Sequence, residues 1–261
     1  MHTLPSLPGE GRVVEGRRKV RMADVGPDRR GRLDALARYL AEVAEDDASG
    51  AALPPTIGWV LRRTRLEVDR FPVLGEDLVL RTFCSGIASR WAERTTYVEG
   101  SFGAGWRALS IWVAVDTKTG APARLGERFA AVYGSSAGGR RISARLTLAT
   151  PGARVARAGR QWPLRRSDLD AWSHVNNAVA WAAVEDAVDL EPADSVVAVV
   201  EHHSPIGAET APVLAVEREA GSWRVWLLGS RDPGDMLVAS ALEVLRAGAA
   251  HTGDPNRHPI G

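Results

Sequence analysis

Asp168, Asp170 and His174 fall in one run, Ser167-Asp168-Leu169-Asp170-Ala171-Trp172-Ser173-His174-Val175-Asn176-Asn177. A carboxylate four residues before an imidazole is enough for acid–base chemistry, because one group accepts a proton while the other donates one. The run sits where a short polar strand gives way to a helix. First-turn N–H groups and the positive end of the helix dipole there favour an anion or a polarised carbonyl oxygen close to His174. A purely structural part suits the same residues, since Asp commonly caps helices and His sits well in a first turn. Asn176 and Asn177 fit either hydrogen bonds to loops around the helix start or contact with a bound molecule. Trp172 fits either a site mouth or core packing.

The elements that must hold this run repeat along the chain. The first half predicts a strand over 18–24, a turn at Gly26-Pro27-Asp28 and a helix over 32–47, whose Leu33, Leu36, Ala37, Leu40, Val43 and Ala44 share one face. Strand-like runs follow over 59–69, 77–84, 90–98 and 106–116, separated by Gly, Pro and Asp. The second half predicts a strand over 161–166, a helix over 175–188 and strands near 195–203, 210–219, 223–230 and 236–246. At one joint the halves match residue by residue, with the 69–76 stretch Asp-Arg-Phe-Pro-Val-Leu-Gly-Glu beside the 202–209 stretch His-His-Ser-Pro-Ile-Gly-Ala-Glu. Two β-α-β-β-β-β repeats imply an α+β duplication: a tandem (double) hot-dog, each copy a central helix wrapped by a bent antiparallel sheet. Such copies pair through sheet edges, so the expected state is a monomeric pseudo-dimer or a homodimer.

The predicted divisions are an N-terminal repeat over 12–133, a basic linker over 134–160, a C-terminal repeat over 161–247 with the Asp170–His174 run and a flexible tail over 248–261. The linker carries Arg140, Arg141, Arg145, Arg154, Arg157 and Arg160 without an acidic residue. It reads either as a solvated connector or as a surface for an acidic partner, together with Arg165 and Arg166. A formal net charge of +1 argues against a general polyanion binder, and no nucleic-acid motif is evident. The single cysteine, Cys84, excludes an intramolecular disulfide and is expected to be a buried packing residue. No metal site is expected, since no Cys/His cluster has ligand spacing. Without a signal-like or membrane-spanning apolar run, the expected place is the cytoplasm, with no membrane partner.

The run around Asp170, at the start of the second repeat, closely resembles the acyl-ACP thioesterases. Two more stretches carry the resemblance: Trp59 to Pro72 running on to Gly75-Glu76, and Ser110-Ile111-Trp112-Val113-Ala114-Val115-Asp116. The similarity covers about residues 12–246. It implies hydrolysis of a fatty acyl-ACP thioester, with no cofactor, with the acyl-chain pocket in the N-terminal repeat and with an acyl carrier protein bearing a 4'-phosphopantetheine arm as partner. The family's catalytic Asp and His fall on Asp170 and His174, and Trp172, Asn176 and Asn177 beside them are the candidate substrate contacts. The family's intervening Asn is Trp172 here. Its further catalytic Glu or Cys falls near Pro205 and Ile206. Water attack assisted by Asp170 and His174 is therefore the expected chemistry, with helix N–H groups polarising the carbonyl. Glu185 is expected on the helix surface, and His202 and His203 on opposite faces of their strand. The alternatives are an acyl-CoA thioesterase, a non-catalytic acyl-thioester binding module and, on the same fold, a hydratase.

Overall fold

The computed structural model describes residues 4–230 and 236–247; the predicted tail over 248–261 lies outside the described residues. The first repeat comprises β1 (Val13–Lys19), α1 (Leu33–Gly50), β2 (Ile57–Arg70), β3 (Asp77–Ile87), β4 (Trp91–Gly100) and β5 (Gly105–Asp116). Two helices not anticipated from the sequence follow, α2 (Glu127–Ala137) and α3 (Ala153–Arg157). The second repeat comprises β6 (Arg160–Gln161), α4 (Asn177–Ala187), β7 (Ser195–His202), β8 (Val213–Glu219), β9 (Ser222–Ser230) and β10 (Met236–Ala247).

All ten strands form one sheet in the order β1-β3-β4-β5-β2-β7-β10-β9-β8-β6. Each half has the same internal order, and the halves meet where β2 pairs antiparallel with β7 from Arg63–Glu201 to Val68–Val196. This is the hot-dog duplication expected from the sequence. The join removes an edge from each sheet, which stabilises the pair against edge-to-edge association. Leu33, Leu36, Tyr39, Leu40 and Val43 of α1 share one core with Trp181 and Val184 of α4 and with alternate strand residues such as Leu66, Leu80, Val200 and Leu242. The two helices therefore lie together on one face of the sheet. The C-terminal turn of α4 thereby meets the N-terminal end of α1, where Glu185 accepts from the Leu33 N–H.

The first strand of each repeat departs from its expected span. β1 ends at Lys19, and 21–24 turn into a 3-10 helix because the Asp24 carboxylate accepts from the Arg21 N–H at 2.8 Å. β6 stops at Gln161 because Pro163 has no N–H for a ladder, and the Asp168 carboxylate curls the chain by accepting from the Arg165 N–H at 2.7 Å. α4 begins at Asn177 rather than Val175, since Asn176 occupies the N-cap and its side chain accepts from the Ala178 N–H.

The segment between the repeats touches the rest of the fold at separate points, with exposed residues between them. Phe129, Tyr133 and Ala137 of α2 cluster with Ala51, Cys84 and Ala92, beyond the C-terminal end of α1. Leu148, Val155 and Ala156 lie against Ala215, Trp226, Leu228 and Ala241, the strand residues that point away from α4. Glu201, fully buried in β7, holds this crossing by accepting from the Thr147 and Leu148 N–H groups at 2.8 and 2.9 Å.

Candidate active site

The Asp170–His174 segment is a tight turn whose geometry follows from its residues. The Asp170 N–H donates to the His174 carbonyl at 2.7 Å, and the Ser173 N–H donates to the Asp170 carbonyl at 3.0 Å. Ser173 takes a left-handed backbone, φ +62°, to close it. Asp170 Oδ1 accepts from the backbone N–H groups of Trp172 and His174 at 2.9 and 3.0 Å. The carboxylate thus sits beside His174 through the main chain, and among the described residues its Oδ2 and the exposed His174 imidazole have no hydrogen-bond partner. Trp172 is 71% exposed, which excludes the core-packing alternative. The Asn176 N–H donates to the Asp168 carbonyl at 2.8 Å, fastening the turn to the 3-10 helix before it.

The same turn stands in the first repeat with different side chains. Gly26 N–H donates to the Arg30 carbonyl, Arg29 N–H to the Gly26 carbonyl and Arg32 N–H to the Asp24 carbonyl, each at 2.9 Å. Arg29 also has a left-handed backbone, φ +66°. Gly26 therefore stands where Asp170 stands, Arg30 where His174 does and Leu33 where Asn177 does. The supporting loop shows the register as well. Gly31 N–H donates to the Pro72 carbonyl and Val175 N–H to the Ile206 carbonyl, so Pro72 matches Ile206, one residue beyond the match that Pro72 and Pro205 suggest. Gly31 fits its place because an added Cβ would lie 2.7 Å from the Pro72 ring.

What occupies the two helix starts differs sharply. Glu185, expected on the surface, has its side chain 13% exposed and reaches from α4 to α1. Its Oε2 accepts from the Leu33 N–H at 3.0 Å, and its Oε1 pairs with the Arg30 guanidinium. Arg30 is 5% exposed, lies 4.7 Å from the centre of the Phe71 ring and also meets Asp28. The first-repeat helix start is thus closed. At α4 the matching Asn177 N–H has no acceptor among the described residues, and Asn177 is exposed. A cleft of about 370 Å³ runs between the helices here, with Arg32, Asp34, Arg165, Asp168, Asn176 and Glu185 in its wall.

Other expected groups fall outside this arrangement. Pro205 is exposed, while Ile206 is buried and holds the turn through its carbonyl. His202 has Nδ1 3.2 Å from the Ser240 hydroxyl, whereas Nε2 of His203 lies 3.8 Å from Glu201. Burial pushes the Cys84 thiol up to about 11, as befits a packing residue away from the turn. Among the described residues no group of three His, Cys, Asp or Glu side chains is placed to hold a metal ion, and no helix is long and apolar enough to cross a membrane. Sequence reading missed Arg30 and the anchoring part of Glu201. The signal for Glu185 was present, since it and Asp186 are the only charges in the otherwise apolar NAVAWAAVEDA helix.

Residues 11–133 match the family model of the acyl-ACP thioesterase N-terminal domain. The N-terminal repeat belongs to the acyl-ACP thioesterase family. An uncharacterised protein of Mycobacterium tuberculosis is 29% identical over 208 residues, covering 78% of this chain and 82% of the relative. The structure is similar to that of the 12:0-ACP thioesterase from Umbellularia californica, with TM-score 0.74, 18% identity and coverage of 91% of this chain and 98% of that one. An acyl-ACP thioesterase from Bacteroides thetaiotaomicron superposes with TM-score 0.74 at 16% identity, over 90% of this chain and 97% of that one. The likeness of fold runs over nearly the whole chain, while the family match lies in its N-terminal repeat.

Proposed function

We propose that the chain hydrolyses the thioester of a fatty acyl group carried on acyl carrier protein, at the Asp170–His174 turn, releasing free fatty acid and the carrier's thiol. The observation that carries this reading is the contrast between two equivalent helix starts: Glu185 occupies the first-turn N–H at α1, and the matching Asn177 N–H at α4 is open. An N–H at the positive end of a helix stabilises the oxyanion that forms as water adds to a thioester carbonyl. Asp170 Oδ2 takes the proton from that water, and the His174 imidazole supplies one to the departing thiol. Trp172 and Asn177, both exposed beside the turn, border the place where the acyl-carrying arm lies.

A thiol-release assay across acyl-ACP chain lengths, with matched acyl-CoA thioesters, tests this. Asp170→Asn and His174→Ala are each expected to lower kcat/KM at least about a hundredfold, the size of a general acid–base contribution. Unchanged hydrolysis by Asp170→Asn would sink the assignment of the site. A strong preference for the CoA thioester would move the substrate to acyl-CoA. Tight acyl-thioester binding without release would make the chain a binding module.

A further inference from the structure

Side chains of β7 alternate between the two faces of the sheet, so Val200 lies in the core with α4 while Glu201 points to the outer face. His203, just past the strand end, follows Glu201 to that side. Polar groups covered by chain there need partners. Glu201 has them in the Thr147 and Leu148 N–H groups and in the Thr147 hydroxyl at 3.2 Å. His203 Nε2 does not: it is hidden from solvent, lies 3.8 Å from Glu201 Oε2 and has no hydrogen-bond partner among the described residues.

The segment that crosses this face is pinned at three points. Glu201 holds Thr147, the Ala149 carbonyl accepts from the Trp226 indole at 2.8 Å, and Val155 and Ala156 of α3 rest on the cluster that contains Trp226 and Leu228. Thr150 and Pro151 fall between the supports, and a cavity of about 490 Å³ remains beside them, within the size range of small-molecule sites. Pro151, Ala156, Leu228 and Val238 give it apolar walls. Thr150, Ser204 and His203 add two hydroxyls and an imidazole.

We propose that this cavity binds an uncharged molecule with an apolar body and a hydroxyl group, an alkyl or aryl alcohol, whose O–H donates to Nδ1 of His203. Burial, opposed by the charge of Glu201, holds the His203 pKa below its ordinary value, so the ring is neutral at pH 7. A neutral imidazole carries one N–H, and the carboxylate 3.8 Å from Nε2 favours it on that nitrogen. Nδ1 then keeps a free lone pair. Because Nε2 is hidden, the ring edge bearing Nδ1 is the part that meets the cavity. None of the described wall residues carries a formal charge. An anion would face Glu201 behind the ring with no cation to receive it, and an ammonium group would find no carboxylate in the wall. The cavity lies on the sheet face opposite α4, and its occupant does not depend on the thioesterase reading.

NMR titration of the amide resonances at pH 7 with 1-hexanol, 4-methylphenol, hexanoate and hexylamine tests the site. Both alcohols are expected to saturate with a Kd at or below about 1 mM, shifting the amides of Thr150, Ser204 and Leu228 and leaving those of Trp172 and Asn177 in place. At the same amides hexanoate and hexylamine should bind at least about tenfold more weakly. His203→Phe keeps the ring and removes the acceptor, and should weaken 1-hexanol about threefold to tenfold, the worth of one hydrogen bond. Ala156→Phe fills the cavity from α3 and should abolish saturation. A parent-like spectrum outside the cavity shows that each variant is folded, and either variant alone suffices. Failure of both alcohols to saturate these amides overturns the proposal. So do equal affinities for the alcohol and the charged ligands, undiminished 1-hexanol binding by a folded variant, or shifts at Trp172 and Asn177 in place of those at the cavity.

Discussion

The His202 imidazole keeps Nδ1 near the Ser240 hydroxyl and has its Nε2 buried without a partner. Burial first, then the charges of His203 and Arg62, pushes its pKa down to about 4. An unfolded histidine titrates near 6.5, so between pH 6.5 and 4 the unfolded chain holds a proton that the folded one lacks. The stability contributed by a neutral His202 is complete above about pH 6.5 and is lost as pH falls toward 4, roughly 3 kcal/mol in all. His203 is shifted the same way, chiefly by burial, and adds to the slope. Urea unfolding at pH 7 and pH 4.5 should show the parent losing clearly more stability than His202→Gln between those values; equal losses would refute the neutral, buried imidazole. Residue chemistry of this kind is only half legible in a sequence. Asp170 and His174 declare themselves by type, spacing and the cap-rich run around them. Which oxygen of Asp170 is committed to backbone N–H groups depends on a left-handed Ser173, and nothing in the string Asp-Ala-Trp-Ser-His announces that conformation.

At the scale of elements, α1 and α4 do different work although they descend from the same plan. α1 opens at Arg32 without a side-chain cap of its own, and Glu185 supplies the missing acceptor from the neighbouring helix. The carboxylate therefore satisfies one orphan N–H, complements the positive end of α1 and neutralises the buried Arg30. Removing it leaves a guanidinium 5% exposed with Asp28 as its remaining carboxylate, a change of the kind that costs about 3 kcal/mol. Glu185→Ala should lower the urea midpoint accordingly and speed amide exchange in the first turn of α1, whereas Glu185→Gln should retain part of the stability by still accepting from the Leu33 N–H. Wild-type exchange in the Glu185→Ala protein would refute the capping role. The helices themselves are legible as apolar faces at a period of 3.6, and α1 falls within three residues of its predicted end. The contact from Glu185 to Leu33 is not, because it joins positions 152 residues apart and the pairing exists only once the sheet halves have met. α2 and α3 escape notice for a related reason: the apolar residues of α3 are few, and those of α2 pack only against a cluster that the first repeat creates.

At the scale of the molecule, the duplicated strand order was readable because six elements recur with their turn signals, and one β2–β7 ladder suffices to join them. Duplication alone predicts two equivalent sites, one at each helix start. The structure breaks that equivalence with three side chains: Gly26 removes the carboxylate found at Asp170, Arg30 replaces His174 and turns inward, and Glu185 takes the N–H that Asn177 leaves open. The pseudo-dimer should therefore bind a single acyl thioester. Isothermal titration with an acyl-pantetheine analogue whose sulfur is replaced by a non-hydrolysable NH is expected to give a stoichiometry of about one per chain, since of the two matching N–H groups that of Leu33 is taken by Glu185 and that of Asn177 has no acceptor among the described residues. Asp170→Asn should leave that stoichiometry near one, because in the proposed reaction the carboxylate acts on water and not on the acyl group. A stoichiometry of two would mean that ligand displaces Glu185 from the Leu33 N–H, and the closed helix start would then be a second working site. Glu185→Ala does not by itself reopen it, as Arg30 still fills the space that the His174 side chain leaves to solvent in the other repeat.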